Sequence, residues 1–243
     1  MSDNHAMESD PDSWWLDESA HAGREHFDDR HAARYDAKMD AHASREVDFL
    51  RNAGVLDPRG SVVDLGAGTG QFALAAAQVC EKVIAVDVSP VMLARLIEKR
   101  DRAGVSNLEV ACAGFLTYQR AGDPADLVYS RFALHHLPDF WKAIALQRIV
   151  GLLRPGGALR LVDVVYSFDP PEAQDRIEAW IADSATGDVE QGWTRAELAD
   201  HVRDEHSTFS WLLEPMIERA GLKVIDATRD PSGMAAAYLC SKA

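Results

Sequence analysis

The 243-residue chain is poor in cysteine, in basic charge and in long apolar runs. Its three cysteines, Cys80, Cys112 and Cys240, are odd in number, scattered and set in apolar surroundings. That pattern excludes a disulfide framework and a thiolate metal site, and it reads as buried, reduced thiols. Against 39 Asp and Glu there are only 25 Lys and Arg, a formal net charge of −14. Long-range repulsion of phosphate then argues against a nucleic acid or an anionic membrane as the main partner, and for a small molecule. No basic-then-apolar leader opens the chain and no stretch approaches a membrane span, so a cytoplasmic location is expected. No internal repeat is visible. With 47% hydrophobic residues a full core is within reach, and one α/β domain with insertions is expected.

What is present centres on Val62-Val63-Asp64-Leu65-Gly66-Ala67-Gly68-Thr69-Gly70-Gln71-Phe72, followed after one apolar helix by Val83-Ile84-Ala85-Val86-Asp87-Val88-Ser89. It reads as a buried strand, a glycine turn opening a helix, and a second strand ending in a carboxylate. That is the first crossover of a nucleotide-binding parallel sheet. A dinucleotide fingerprint would be G-x-G-x-x-G, but the position of its third glycine is Gln71. The pattern is D-x-G-x-G-x-G, with Asp64 where a phosphate would be repelled and an ammonium or sulfonium group attracted. Asp87 is placed for the two hydroxyls of a ribose. Ribose, positive charge and no phosphate together describe S-adenosylmethionine, held by Asp64, Gly66, Ala67, Gly68, Gly70 and Asp87.

On these residues the chain resembles the class I S-adenosylmethionine-dependent methyltransferases over about residues 30–243. Within them it is most similar to small-molecule enzymes of the ubiquinone/menaquinone-biosynthesis type (type 11), and to bacterial relatives sharing Phe115-Leu116-Thr117-Tyr118 and Ala133-Leu134-His135-His136-Leu137. The resemblance implies a Rossmann-like, seven-stranded, mostly parallel sheet with helices on both faces and an antiparallel C-terminal edge strand. Residues 1–18, acidic and without periodicity, read as a flexible tail, and the resemblance implies a helical lid (19–56) within one domain (19–243) and a substrate cap inserted at about 166–207. By the same resemblance Tyr35 lies near the methionine carboxylate, and Val88 and Met92 pack on adenine.

One station departs from the family. Where relatives read Gly-Asp after the third strand (108–112), the Asp accepting from the adenine amino group, this chain reads Ala113-Gly114-Phe115. The missing hydrogen bond is worth of order 1 kcal/mol, and Phe115 is available to stack on the base. Residues 125–130 read as the central fourth strand, whose end brings Ser130, Arg131 and Phe132 beside the methyl group.

Further along, Ser89-Pro90 caps a helix with the buried stripe Val91, Met92, Leu93, Leu96 and Ile97. Leu152-Leu153-Arg154-Pro155-Gly156-Gly157 ends the helix over 139–153 and feeds a strand from Ala158 to Val165. Thr194-Arg195-Ala196-Glu197 is a capping box. A last helix (Phe209 to Ala220) precedes the closing strands, Leu222 to Ala227 and Met234 to Cys240. Trp14 and Trp15 read as a plug, a lid or a dimer contact, and Tyr166, Trp180, Trp193 and Trp211 as core or as an aromatic acceptor pocket. His21, His26, His31 and His42, like His201 and His206, are mostly spaced at or near five residues. A five-residue step turns a helix by about 500°, so solvated faces are expected rather than a metal site.

Methyl transfer needs alignment more than a nucleophile. If the acceptor arrives protonated, His135 and His136 are the candidates for a base, one of them being structural. The acceptor is expected to be a small molecule, the product S-adenosylhomocysteine, and the protein a monomer or homodimer. The alternative is a methyltransferase-shaped binding protein that has lost turnover, motivated by Gly114.

Overall fold

Alternation along four short apolar strands sorts the core into two layers. In β1 (Ser61–Leu65), β2 (Lys82–Asp87), β3 (Leu108–Cys112) and β4 (Ala125–Arg131), every second side chain faces the same side of the sheet. The structure, a computed structural model, describes residues 14–23, 27, 43–186 and 192–243. Val62, Val83, Ala85, Leu127 and Tyr129 pack against α2 (Ala43–Asn52), α3 (Gln71–Ala76) and α4 (Pro90–Ala103). Val63, Leu65, Ile84, Val86 and Val128 face the opposite way, onto α5 (Asp139–Leu152) and α8 (Ser210–Arg219).

The seven-strand path runs β3-β2-β1-β4-β5-β8-β7, where β5 is Leu153–Tyr166, β7 is Leu222–Arg229 and β8 is Ala235–Lys242. A two-residue β6 (Thr208–Phe209) adds to β5 off this path. β1 to β5 are mutually parallel, and β8 runs antiparallel to both β5 and β7, which leaves β7 at the edge. The chain winds outward through β1, β2 and β3, then returns to β4. The order reverses between β1 and β4, and the carboxyl ends of those strands open the crevice where this architecture holds its ligands.

Several boundaries differ from the expectation. Leu153 already pairs with Ala125, so Arg154–Gly157 form a bulged start of β5 rather than a loop ahead of it. The α4 stripe narrows to Met92, Leu93 and Leu96, with Ile97 one step round at 36% exposure. Phe49 does not join the core but lies against the Arg160 guanidinium, 4.5 Å from ring centroid to carbon. The tail expected over 1–18 is docked from Trp14 onward. Trp14 stacks on Trp141 at 5.8 Å, Trp15 meets it edge-on at 5.2 Å, and a single turn, α1 (Glu18–His21), follows on its Asp17 cap. Tyr35, His26, His31 and His42 lie outside the described residues. His201 and His206 are not on a solvated face: both are half-buried, His201 against Glu205 and His206 against His21.

The segment 166–207 holds α6 (Ala173–Ser184) and α7 (Arg195–Asp204), the latter starting on the expected Thr194–Glu197 capping box. Tyr166, Phe168 and Met234 form a third apolar cluster with Ile177, Trp180 and Phe209.

Arg160, in the middle of β5, is 7% exposed and pairs with Glu46 of α2 at 2.5 Å. Glu46→Ala leaves that guanidinium buried without its counter-charge and is expected to cost about 3 kcal/mol. Arg154→Ala breaks a half-exposed pair with Asp126 and is expected to cost less than about 1 kcal/mol. Chemical denaturation of the two variants measures the contrast.

Candidate functional site

The crevice is shaped by a turn that only glycine can make. Gly66, Gly68 and Gly70 all have positive φ (74°, 52° and 82°). A Cβ on Gly66 would also run into the Cβ of Ala133, so the β1 turn and the loop after β4 touch backbone to side chain there. Gly66 and Ala67 donate their N–H groups to the Val86 carbonyl at 2.8 and 3.0 Å, which ties the turn to β2. Gly70 serves differently from the expectation. It caps α3, and a Cβ there would fall 2.5 Å from Leu96, so its place is a packing contact and not the cavity wall.

Two adjoining hollows share Gly66. The larger, with about 610 Å³ of free space including its mouth, is bordered by Gly68, Asp87, Val88, Met92, Gly114, Phe115, Phe132 and His136, among others. The second is bordered by Asp64, Ala67, Gln71, Tyr129 and Arg131. Ser130, expected beside the methyl group through its main chain, has a fully buried side chain and borders neither hollow: strand alternation turns it away from Tyr129 and Arg131, which border the second, while Phe132 lies past the end of β4 and borders the larger. Phe132 holds φ at 50°, the one non-glycine residue with positive φ among the described residues. Such strain in a bulky side chain is typical of functional loops. None of Tyr166, Trp180, Trp193 and Trp211 borders either hollow.

Asp87 ends β2 with both oxygens engaged: Oδ2 accepts the Gly68 N–H and Oδ1 the Ser89 N–H, each at 2.8 Å. A carboxylate oxygen has a second lone pair, so the group can still accept from a diol in the cavity. Burial raises its pKa, and the backbone donors of Ser89, Gly68 and Val88 oppose the rise. Asp64, 2% exposed, is raised to about 8, first by burial and then by the negative charge of Asp87. An un-neutralised, deeply buried carboxyl beside the turn is what a cationic ligand would complement.

The two histidines part company. His135 is 5% exposed, with Nδ1 donating to Asp163 Oδ1 and Nε2 facing Glu205 Oε2 at 2.9 Å. Its backbone N–H donates to Asp163 Oδ2 at 3.1 Å. Burial would lower this imidazole, but Asp163 and then Glu205 outweigh it and raise the pKa to about 9. With both nitrogens occupied it is not placed to accept a proton. His136, one residue on, borders the cavity. Glu205 also pairs with His201, whose Nε2 lies 3.3 Å from Ser207 Oγ. The donor atoms of His135, His201 and Glu205 lie within 4.8 Å of one another, close enough to share a cation, although carboxylates facing imidazoles already balance as an ion-pair network.

Sequence reasoning missed Glu18, Asp163 and Glu205. Asp163 was marked by being the charge inside Leu161-Val162-Asp163-Val164-Val165, a strand whose other residues are apolar. Glu18 carried no such signal: its contacts, Leu116 and Thr117, are 98 and 99 residues away.

The profile of a methyltransferase domain matches residues 62–157. A protein of Exiguobacterium sibiricum named as an uncharacterized methyltransferase is 30% identical over 155 residues, 61% of this chain and 69% of its own length. Phosphoethanolamine N-methyltransferase 2 of Caenorhabditis elegans is 28% identical over 141 residues, 56% of this chain. The chain spans only 31% of that longer relative. Among solved structures, magnesium protoporphyrin IX methyltransferase from Synechocystis with bound S-adenosylmethionine shares the fold, with a TM-score of 0.64 and 14% identity over 95% of this chain and all of that one. The glycine turn on β1, the carboxylate ending β2 and the reversal of strand order fall within residues 62–157, where the family profile matches, and the chain belongs to the class I S-adenosylmethionine-dependent methyltransferases.

Proposed function

We propose that the protein transfers a methyl group from S-adenosylmethionine to a small-molecule acceptor, and that the larger hollow is where the nucleoside half binds. The observation that carries this reading is Asp87, fixed by two backbone N–H groups at the mouth of a cavity walled by Gly66, Gly68, Val88, Met92 and Phe115. Asp87 accepts from the ribose hydroxyls, Val88, Met92 and Phe115 enclose the base, and Asp64 meets the methionine ammonium. When bound, the cofactor supplies a sulfonium-activated methyl group, released by in-line displacement.

The chain's own part is orientation and exclusion of water, which in favourable intramolecular cases is worth roughly 7 to 11 kcal/mol. Phe132 and His136 border the same cavity, and His136 takes a proton from an acceptor that arrives protonated. His135 holds the loop beneath it through Asp163. The small-molecule assignment is supported by the net charge of −14, which opposes a polyanionic substrate. The relative whose name specifies phosphoethanolamine as substrate is consistent with a compact acceptor. Segment 166–207, with α6 and α7, is the substrate cap in this reading.

Calorimetric titration is expected to show micromolar binding of S-adenosylmethionine and S-adenosylhomocysteine and none of NAD. Asp87→Ala is expected to weaken that binding at least tenfold while the protein stays folded; unchanged affinity in a folded variant would sink the assignment. Because Asp64 is raised to about 8, it is largely protonated at pH 7, and an incoming ammonium favours its charged form. Binding at pH 7 should therefore release a proton, seen as a heat that varies with buffer ionisation enthalpy, and Asp64→Asn should abolish the variation.

The His135 clamp has a pH signature. A folded-state pKa raised to about 9 contributes stability that is full below about pH 6.5 and lost as pH rises through 9. Denaturation midpoints between pH 6.5 and 9 should fall more steeply in the wild type than in Glu205→Gln. Equal slopes would remove Glu205 from the clamp.

A further inference from the structure

The family's adenine-binding carboxylate is absent at position 114, and the space it would occupy is filled from elsewhere. A Cβ built on Gly114 would fall on the Cδ and both oxygens of Glu18. Gly114 lies outside the positive-φ glycines, so its backbone does not require glycine. What requires it is the Glu18 side chain, which arrives from the N-terminal segment and is 7% exposed on the cavity wall.

The two oxygens of Glu18 are treated differently. Oε2 accepts the Leu116 N–H at 3.0 Å and the Thr117 hydroxyl at 3.1 Å. The Thr117 hydroxyl in turn accepts the Gly114 N–H at 2.8 Å, so its proton is directed at Glu18. Oε1 is buried and has no hydrogen-bond partner. A buried carboxylate oxygen without a donor is costly, and the cavity it borders is the place a donor would come from. Burial raises the Glu18 carboxyl although the Leu116, Thr117 and Phe115 donors and the Arg148 charge oppose the rise, and Val88, Met92 and Phe115 on the same wall suit a flat apolar ring. The ligand group that fits is a neutral N–H donor on the edge of such a ring.

We infer that Glu18 is the specificity residue for the purine, its free oxygen accepting the 6-amino group of adenine in place of a carboxylate at position 114. The inference rests on the nucleoside reading of the larger hollow. It makes recognition of the base depend on the docked N-terminal segment, which Trp14 and Trp15 fix against Trp141. A purine carrying a 6-oxo group presents an acceptor to an acceptor and is disfavoured.

The test is calorimetric binding of S-adenosylhomocysteine and of its 6-oxo analogue, S-inosylhomocysteine. The wild type should prefer the amino form at least tenfold, a hydrogen bond to a charged group being worth that much or more. Glu18→Ala should lose most of that preference, and adding Gly114→Asp to it should restore it, since the obstructing side chain is gone. In Glu18→Gln the amide oxygen stays on the Leu116 and Thr117 donors, the NH₂ faces the ring, and the preference should turn toward the oxo form. If folded Glu18→Ala weakens both ligands equally, Glu18 is only a fastener for the segment and the inference falls while the cofactor reading stands. If the wild type binds neither ligand, both fall together.

Discussion

Asp87 and the two backbone N–H groups it holds decide the geometry of the crevice. Its oxygens join Gly68 of the turn to Ser89 at the start of α4, so one side chain fixes strand end, turn and helix relative to one another. The turn must then pass close to the loop after β4, and Gly66 is glycine because Ala133 is already there. From that point the sheet order follows: β2 must neighbour β1 for Gly66 and Ala67 to reach the Val86 carbonyl, and β4 must neighbour it on the other side. Substituting the carboxylate removes both ties in one step.

Buried anions recur through the molecule in different states of compensation. Asp163 faces an imidazolium and Glu205 faces two imidazoles, and Glu205 is held well below the usual carboxylate range although burial opposes it. Asp87 is compensated by backbone dipoles, and Asp64 sits beside another carboxylate and is raised. The compensated pairs lie under the loops, where rigidity is wanted. The carboxyls that burial raises, Asp64, Asp87 and Glu18, border the two hollows. In the function proposed above, a ligand carrying a cationic group and a neutral N–H donor would supply what those anions lack.

Much of the fold was legible because its signals are local. Apolar runs gave β1 to β4, Ser89-Pro90 and Thr194–Glu197 gave helix starts, and each of those is decided within a few residues. The bulged start of β5 was not legible, since Pro155-Gly156-Gly157 reads as a loop until its pairing with β4 is known. In the site, the glycine turn and Asp87 were visible as a motif, whereas the division of labour between His135 and His136 was not. That division is set by Asp163 and Glu205, 28 and 70 residues beyond His135, and by which side of a short turn each ring takes. Gly70 was assigned to the cavity by its place in the motif, and packing direction put it elsewhere.

With Glu18 in the role inferred above, the motif that departs at Gly114 is incomplete in sequence and complete in space. A carboxylate carried by the third strand's own loop is always present, so the base site exists whether or not the N-terminal segment is docked. A carboxylate carried by Glu18 is present only when Trp15 and Leu16 are seated on the main core. In that role the same contact would serve two ends: a bound purine would draw the segment down, and a docked segment would preorganise the purine site. Linkage of that kind is reciprocal, so the affinity gained by the ligand equals the stability gained by the segment. The stacked tryptophans set how much of that gain is present before the ligand arrives.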